Sequence, residues 1–252
     1  ERIGSLLVNP GGPGGSGVDM VLGAGQFLFS DEVRARFDIV GFDPRGIISS
    51  NPLRCFRSLD QAIAVFDSGF AFPITPEEVA IWIADDNELV DFCDRNAGPI
   101  IDHMATADVA RDMDRIRQAL GDDQLTYAGY SYGSFLGVSY ANLFPENVRA
   151  IVVDGVLDPI AWTTGTGDEA ATLPFSYRLR SAAGAQATLD EFFRLCDESP
   201  AGCAFSGDSA TRFAALAARL LVEPLEIIDP FTGELVLFGY QDLISLALGA
   251  MY

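Results

Sequence analysis

Two rhythms of apolar positions run along this chain. Ile3 to Val8 is an apolar run that stops at Asn9-Pro10, and Phe37 to Phe42 is a second, closed by Asp43-Pro44-Arg45-Gly46. Runs of this length without a polar alternation predict strands buried on both faces, as in a parallel sheet. Proline and glycine then stop each strand. From Thr106 the rhythm becomes helical, because Val109, Met113, Ile116 and Leu120 recur at helical spacing and predict one face packed on a sheet. Thr106 is the expected N-cap, Asp108 falls in the first turn, Arg115 and Arg117 come late, and Gly121 stands just past the end. Leu125 to Ala128 predicts another strand, the stretch from Gly133 to about Phe144 a helix, and Val148 to Val153 a further strand. A unit of this kind implies a parallel sheet with helices on its faces.

After Asp154 the pattern changes. Helical segments around Ala185 to Leu195 and Ala210 to Leu221 follow without an early return to alternating strand and helix. Leu225 to Ile228 and Leu235 to Phe238, around the turn Asp229-Pro230-Phe231-Thr232-Gly233, predict a small hairpin. The expected organisation is an α/β core over residues 1–158 and a mainly helical cap, or lid, over residues 159–252.

Composition adds a few bounds. An apolar content of 49% over 252 residues suffices for a sizeable core. No run of 18 apolar residues is present, so no membrane span is predicted, and Glu1 opens directly into a strand with no signal peptide in view. The net charge of -20, with arginine but no lysine, disfavours nucleic acid as a partner. The same surface suits a secreted or salt-exposed bacterial protein, and equally suits compositional drift. Four cysteines fall into two local sets, Cys55 with Cys93 and Cys196 with Cys203. The second pair could close a short loop, and the even count favours an oxidising compartment over four free thiols. No histidine lies near any of them, so neither zinc nor another metal is expected.

The chemistry centres on Gly129-Tyr130-Ser131-Tyr132-Gly133, a GxSxG pattern with a predicted strand before it and a helix after it. That context makes Ser131 the candidate nucleophile, its hydroxyl carried above the sheet on a tight turn. Attack on a carbonyl needs donors for the developing oxyanion. The backbone N-H of Tyr132 is one candidate, and Gly11 or Gly12, in the loop Asn9 to Gly17, supplies the other. Phosphate binding is the alternative for such a loop, but neither GxxxxGK[ST] nor GxGxxG with an acidic partner is matched.

On these residues the chain resembles a family. Pro10-Gly11-Gly12-Pro13-Gly14 is similar to the HGGPG loop of proline iminopeptidases, and Asn9 to Gly17 resembles the form in tripeptidyl aminopeptidase-like secreted hydrolases of actinobacteria. Asp43-Pro44-Arg45-Gly46, Thr106 to Gly121, Tyr130-Ser131-Tyr132-Gly133 and Val153 to Pro159 follow in the same order and spacing. The resemblance implies an α/β-hydrolase fold, an acyl-enzyme on Ser131, removal of residues or short peptides from peptide N-termini beneath a helical cap, no cofactor, disulfide-bonded cysteines, and export to the cell envelope or beyond.

One departure stands out. In α/β-hydrolases the order is serine, acid, histidine, whereas His103, the one histidine here, precedes Ser131. His103 is read as a surface or capping residue, Asp154 as fixing a turn with Gly155, and Asp43 beside Arg45 as a loop-organising pair. The family's acid and histidine are then expected beyond Tyr252, the chain being truncated at both ends and nearly inert alone. A carboxylesterase or lipase of the same fold, acting on small esters, is the alternative; a non-catalytic binding module is a third. An exopeptidase needs a carboxylate for the substrate's free amine, for which Asp168, Glu169, Asp190 and Glu191 in the cap are candidates.

Overall fold

The computed structural model describes residues 1–67, 69–229 and 232–251. The elements run β1 (Gly4–Asn9), α1 (Gly17–Leu28), α2 (Asp31–Arg34), β2 (Phe37–Gly41), α3 (Leu59–Phe66), α4 (Pro76–Asn96), α5 (Thr106–Ala119), β3 (Leu125–Tyr130), α6 (Tyr132–Leu143) and β4 (Val148–Asp154). Three four-residue helices follow, α7 (Pro159–Trp162), α8 (Glu169–Thr172) and α9 (Phe175–Arg178). Then come α10 (Ser181–Glu198), α11 (Ser209–Leu220), β5 (Leu225–Ile228), β6 (Leu235–Phe238) and α12 (Tyr240–Gly249). The chain divides into two compact units, one of residues 1–57 and 90–175, the other of residues 58–89 and 176–252. This division differs from a boundary at residue 158 in two respects: residues 159–175 group with the sheet, and residues 58–89 group with the C-terminal part.

The first unit holds a four-stranded sheet in the order β2-β1-β3-β4, parallel throughout. This is the α/β architecture that the unalternating apolar strands predict. Leu7, Leu125 and Tyr127 point to one face, where they meet Val109, Ala110 and Met113 of α5 and Leu136 and Tyr140 of α6. Leu6, Val8 and Ala128 point to the other, against Met20 and Val21 of α1. Because successive side chains alternate between the faces, a strand covered on both sides carries apolar residues at successive positions, as Leu6, Leu7 and Val8 do. Of the predicted α5 stripe, Val109 and Met113 are buried and Ile116 packs partly buried against them, whereas Leu120, at the C-cap, is exposed. Gly121 follows α5 at φ 76°, a left-handed position that suits glycine.

At the other end of α5 the expected cap is replaced. Ala105 occupies the N-cap position and offers no side-chain hydrogen bond, while Thr106 is the first helical residue and turns its hydroxyl elsewhere. Deeper in α5, Asp114 is buried and accepts from Arg117 Nε at 2.9 Å, Gln118 Nε2 at 2.7 Å, the Tyr140 hydroxyl at 3.0 Å and Asn147 Nδ2 at 2.9 Å. Burial alone would raise the Asp114 carboxyl, yet these donors outweigh it and hold it below the usual carboxylate range. The network joins α5, α6 and the turn that leads into β4.

Both cysteine sets are disulfides, Cys55–Cys93 and Cys196–Cys203. In the second unit, α10 and α11 are further joined by Asp197, whose carboxylate accepts from Gly207 N at 2.8 Å and from the buried Ser209 hydroxyl at 2.5 Å. β5 and β6 pair antiparallel as the predicted hairpin. Pro230 and Phe231 of its turn lie outside the described residues, and Gly233 N donates to Asp229 O at 2.8 Å across them.

Candidate active site

Ser131 stands between the last residue of β3 and the first of α6, at φ 53° and ψ -123°, and it is exposed. A non-glycine residue held in this region carries roughly 1–3 kcal/mol of backbone strain, which persists only where the surroundings over-determine it. The bonds that do so are visible. Ser131 N donates to Asp154 O at 2.8 Å, tying the turn to the end of β4. Ser131 O accepts from the Ser134 hydroxyl at 2.6 Å, and that hydroxyl accepts from Leu157 N at 3.0 Å. Gly133 O accepts from the buried Tyr127 hydroxyl at 2.8 Å. Burial pushes the Tyr127 phenol up, so it remains a donor.

Glycine at 129 and 133 is a matter of space. A Cβ on Gly129 would lie 2.3 Å from Gly133 O, and one on Gly133 would lie 2.7 Å from Asn9 O. The second contact shows that the end of β1 lies directly against the start of α6. Gly11 makes the same approach from the loop, since a Cβ there would sit 2.4 Å from Tyr130 O and 2.8 Å from Tyr132 N, at a φ of 93°.

The structure thus brings Gly11 against Ser131 and Tyr132, and the amides of the two loop glycines differ. Gly11 N donates to Asn9 Oδ1 at 2.9 Å in a buried hydrogen bond. Gly12 N has no backbone acceptor among the described residues. Tyr132 N is the first amide of α6, one of those a helix leaves unpaired. A small cavity of about 50 Å³ adjoins these groups, lined in part by Asn9, Gly11, Met104, Val109 and Tyr132.

The neighbouring loops are fixed by partners far apart in sequence. Asp43 and Arg45 do not pair with each other. Asp43 Oδ1 accepts from the hydroxyl of Ser16, the N-cap of α1, at 2.5 Å, and Asp43 Oδ2 accepts from Ser49 N at 3.1 Å. Burial raises the Asp43 carboxyl less than these bonds lower it, so it sits below the usual range. Arg45 makes two 2.6 Å bonds to Asp112 of α5 and one of 3.1 Å to His103 O. His103 is exposed at the end of a short 3-10 turn, and its carbonyl is the group held. Asp154 is exposed at the end of β4, with its carbonyl on Ser131 and Gly155 at φ 63° after it. Asp158 caps α7, accepting from Ile160 N at 2.8 Å and Ala161 N at 3.2 Å.

Of the four acidic residues that are candidates for substrate amine recognition, Asp168, Asp190 and Glu191 are exposed and Glu169 is half-buried, and three of the four are locally engaged. Glu169 accepts from Thr166 N, Asp190 from Gln186, and Glu191 from Arg194. Asp168 precedes α8 without a side-chain capping bond. Among the described residues, no group of three or more metal-ligating side chains comes together. No described helix is long and apolar enough to cross a membrane.

Three features escape a reading of the sequence: Asn9, Asp112 and Thr106. Asn9 alone had a local signal, an Asn two residues before the amide it accepts from, the geometry of an Asx turn. The Arg45–Asp112 pair is 67 residues apart and leaves no trace in spacing.

A strained, exposed serine at a β-to-α turn on a parallel sheet, roofed by a glycine loop from a neighbouring strand, defines a hydrolase-type site. The family model described as the alpha/beta hydrolase fold matches residues 4–191, and the chain belongs to that family. Among individual proteins, it is similar to serine protease Hip1 of Mycobacterium tuberculosis, 39% identical over 232 residues, covering 91% of this chain and 41% of that protein. Carboxylesterase B of the same organism is 38% identical over 260 residues, covering 100% of this chain and 46% of that protein. Tripeptidyl aminopeptidase of Streptomyces coelicolor is 38% identical over 161 residues, covering 63% of this chain and 29% of that protein. The chain spans less than half the length of each of these relatives. They agree with the resemblance carried by the glycine loop and the serine turn.

Proposed function

We propose that this chain carries the nucleophile and oxyanion site of an exported serine hydrolase that removes residues or short peptides from peptide N-termini. The observation that carries the reading is Ser131 itself, exposed at φ 53° on a turn held by hydrogen bonds to Asp154, Ser134 and Tyr127. In the reaction, the Ser131 hydroxyl attacks the scissile carbonyl and its proton passes to a general base. The tetrahedral oxyanion takes hydrogen bonds from Tyr132 N-H and Gly12 N-H, Gly11 N-H being engaged by Asn9. The amine leaves with a proton from the same base, and water then releases the acyl group from Ser131. Gly11 serves by allowing the loop to approach the serine turn.

The base and its orienting acid come from residues outside these 252. His103 is placed by its backbone on Arg45, and Asp158 is consumed as a helix cap. Relatives more than twice as long have room for both groups. No cofactor enters the mechanism. The two disulfides support a location outside the reducing cytoplasm.

An esterase reading is favoured by one observation, the similarity of the whole chain to carboxylesterase B. The test treats the full gene product with a fluorophosphonate probe and maps the adduct. Labelling at Ser131, lost in Ser131→Ala, is expected, and labelling elsewhere would sink the assignment. Tripeptidyl- and aminoacyl-anilides should then be hydrolysed with higher kcat/KM than nitrophenyl esters of simple acids; the reverse order would make the protein an esterase.

A further inference from the structure

We propose that Thr106 is a positioning residue for the oxyanion site, acting through the side chain of Tyr132. The inference rests on Ser131 being the nucleophile and adds a residue that touches neither substrate nor serine.

The argument begins with what must stay unbonded. Of the residues in the serine turn, Ser131 is held by its N-H on Asp154 and its carbonyl under Ser134, and Gly133 by its carbonyl under Tyr127. Tyr132 is different, because an amide that serves the oxyanion has to be free of any protein acceptor. Its N-H therefore adds nothing to holding the turn, and the part of Tyr132 that reaches a partner outside α6 is its side chain. The Tyr132 ring is 9% exposed and packs within the core shared by α5 and α6. Phe135 lies on one edge at 5.9 Å between ring centroids and Trp162 at 5.8 Å. The one polar atom of the ring meets one partner among the described residues, the Thr106 hydroxyl, at 2.5 Å.

Thr106 is available for this bond because it does not cap α5. A threonine at the N-cap of a helix usually turns its oxygen to the second or third amide of that helix. Here Ala105 takes that place without a side-chain bond and Thr106 reaches across to α6. A buried phenol without a partner is costly, so the bond holds the ring at the end of α5. The ring in turn belongs to the residue whose N-H points at the oxyanion. Displacement of a catalytic donor by about an ångström is enough to cost roughly 100-fold in rate. Burial also raises the Tyr132 phenol above its usual range even against the bond from Thr106, so the group stays neutral across the working pH range.

The test uses the full gene product, with rates of fluorophosphonate labelling at Ser131, kcat and KM on the preferred anilide, and Tm. Thr106→Val and Tyr132→Phe each remove one end of the bond and keep size nearly constant. Each is expected to lower kcat and the labelling rate about 10- to 100-fold with KM within twofold. Combined, they should do no worse than either alone, since both delete one interaction. Thr106→Ser restores the hydroxyl and should recover most of the rate. If either single variant loses Tm while kcat and the labelling rate stay at the wild-type value, or if the two losses multiply, Thr106 is a structural residue and the proposal fails. Wild-type protein unlabelled at Ser131 would instead overturn the nucleophile assignment on which it rests.

Discussion

The loop-facing side of Ser131 is decided by missing atoms. Gly11 has φ 93° and would drive a Cβ to within 2.4 Å of Tyr130 O and 2.8 Å of Tyr132 N. Both neighbours are backbone of the serine turn, so neither can rotate away. Gly11→Ala is expected to cost more than about 2 kcal/mol and to weaken Ser131 reactivity, through strain at a positive φ and a forced shift of the loop. Urea denaturation and the fluorophosphonate labelling rate check the two parts. Gly12→Ala shares the positive φ, 108°, but its nearest contacts are Gly14 N and Gly15 N within its own loop. The GxSxG pattern and the glycine loop were both legible in the sequence, because steric exclusion acts on residue identity alone. Which of the two loop amides is left open was not, because Asn9 Oδ1 chooses between them only once the loop is folded.

At the scale of elements, α5 decides more than its apolar stripe announces. The stripe was readable from Val109, Met113 and Ile116, but the same helix also holds buried Asp114, Asp112 on Arg45, and Thr106 on Tyr132. Each of those is polar and falls where helical periodicity assigns no role. Asp114 carries a pH prediction. Its folded carboxyl lies below the unfolded value of about 3.9, so its stabilisation is full above that pH and is lost as pH falls through the folded value. Asp43 adds in the same direction. Wild-type Tm should therefore fall steeply below about pH 4. Asp114→Asn leaves Arg117 with a weaker acceptor; it should cost about 3 kcal/mol at pH 7 and show a flatter decline in acid. A parallel Tm-versus-pH curve for the variant would contradict this account.

For the whole molecule, the two disulfides act at different lengths of chain. Cys55–Cys93 spans 38 residues and joins the places where the chain leaves the first unit at residue 57 and re-enters it at residue 90. Cys196–Cys203 spans 7 residues inside the second unit. By chain entropy, the longer loop contributes about 4 kcal/mol and the shorter about 2 kcal/mol. Replacing Cys55 and Cys93 by alanine should thus lower the denaturation midpoint more than replacing Cys196 and Cys203. Equal losses would show that native contacts, rather than loop closure, set the contribution.

The sequence by itself determined the parallel strands, the helix before the nucleophile strand, the serine turn, the glycine loop and the hairpin. These are local: each depends on burial periodicity, on the volume a residue lacks, or on the backbone angles it tolerates. The partner of the Thr106 hydroxyl, the partners of Asp43 and Arg45, the engagement of the Gly11 N-H by Asn9, and the grouping of residues 58–89 with residues 176–252 were decided only by tertiary structure. A polar group takes the nearest partner that burial leaves it. Chain folding sets that distance, and spacing along the sequence does not.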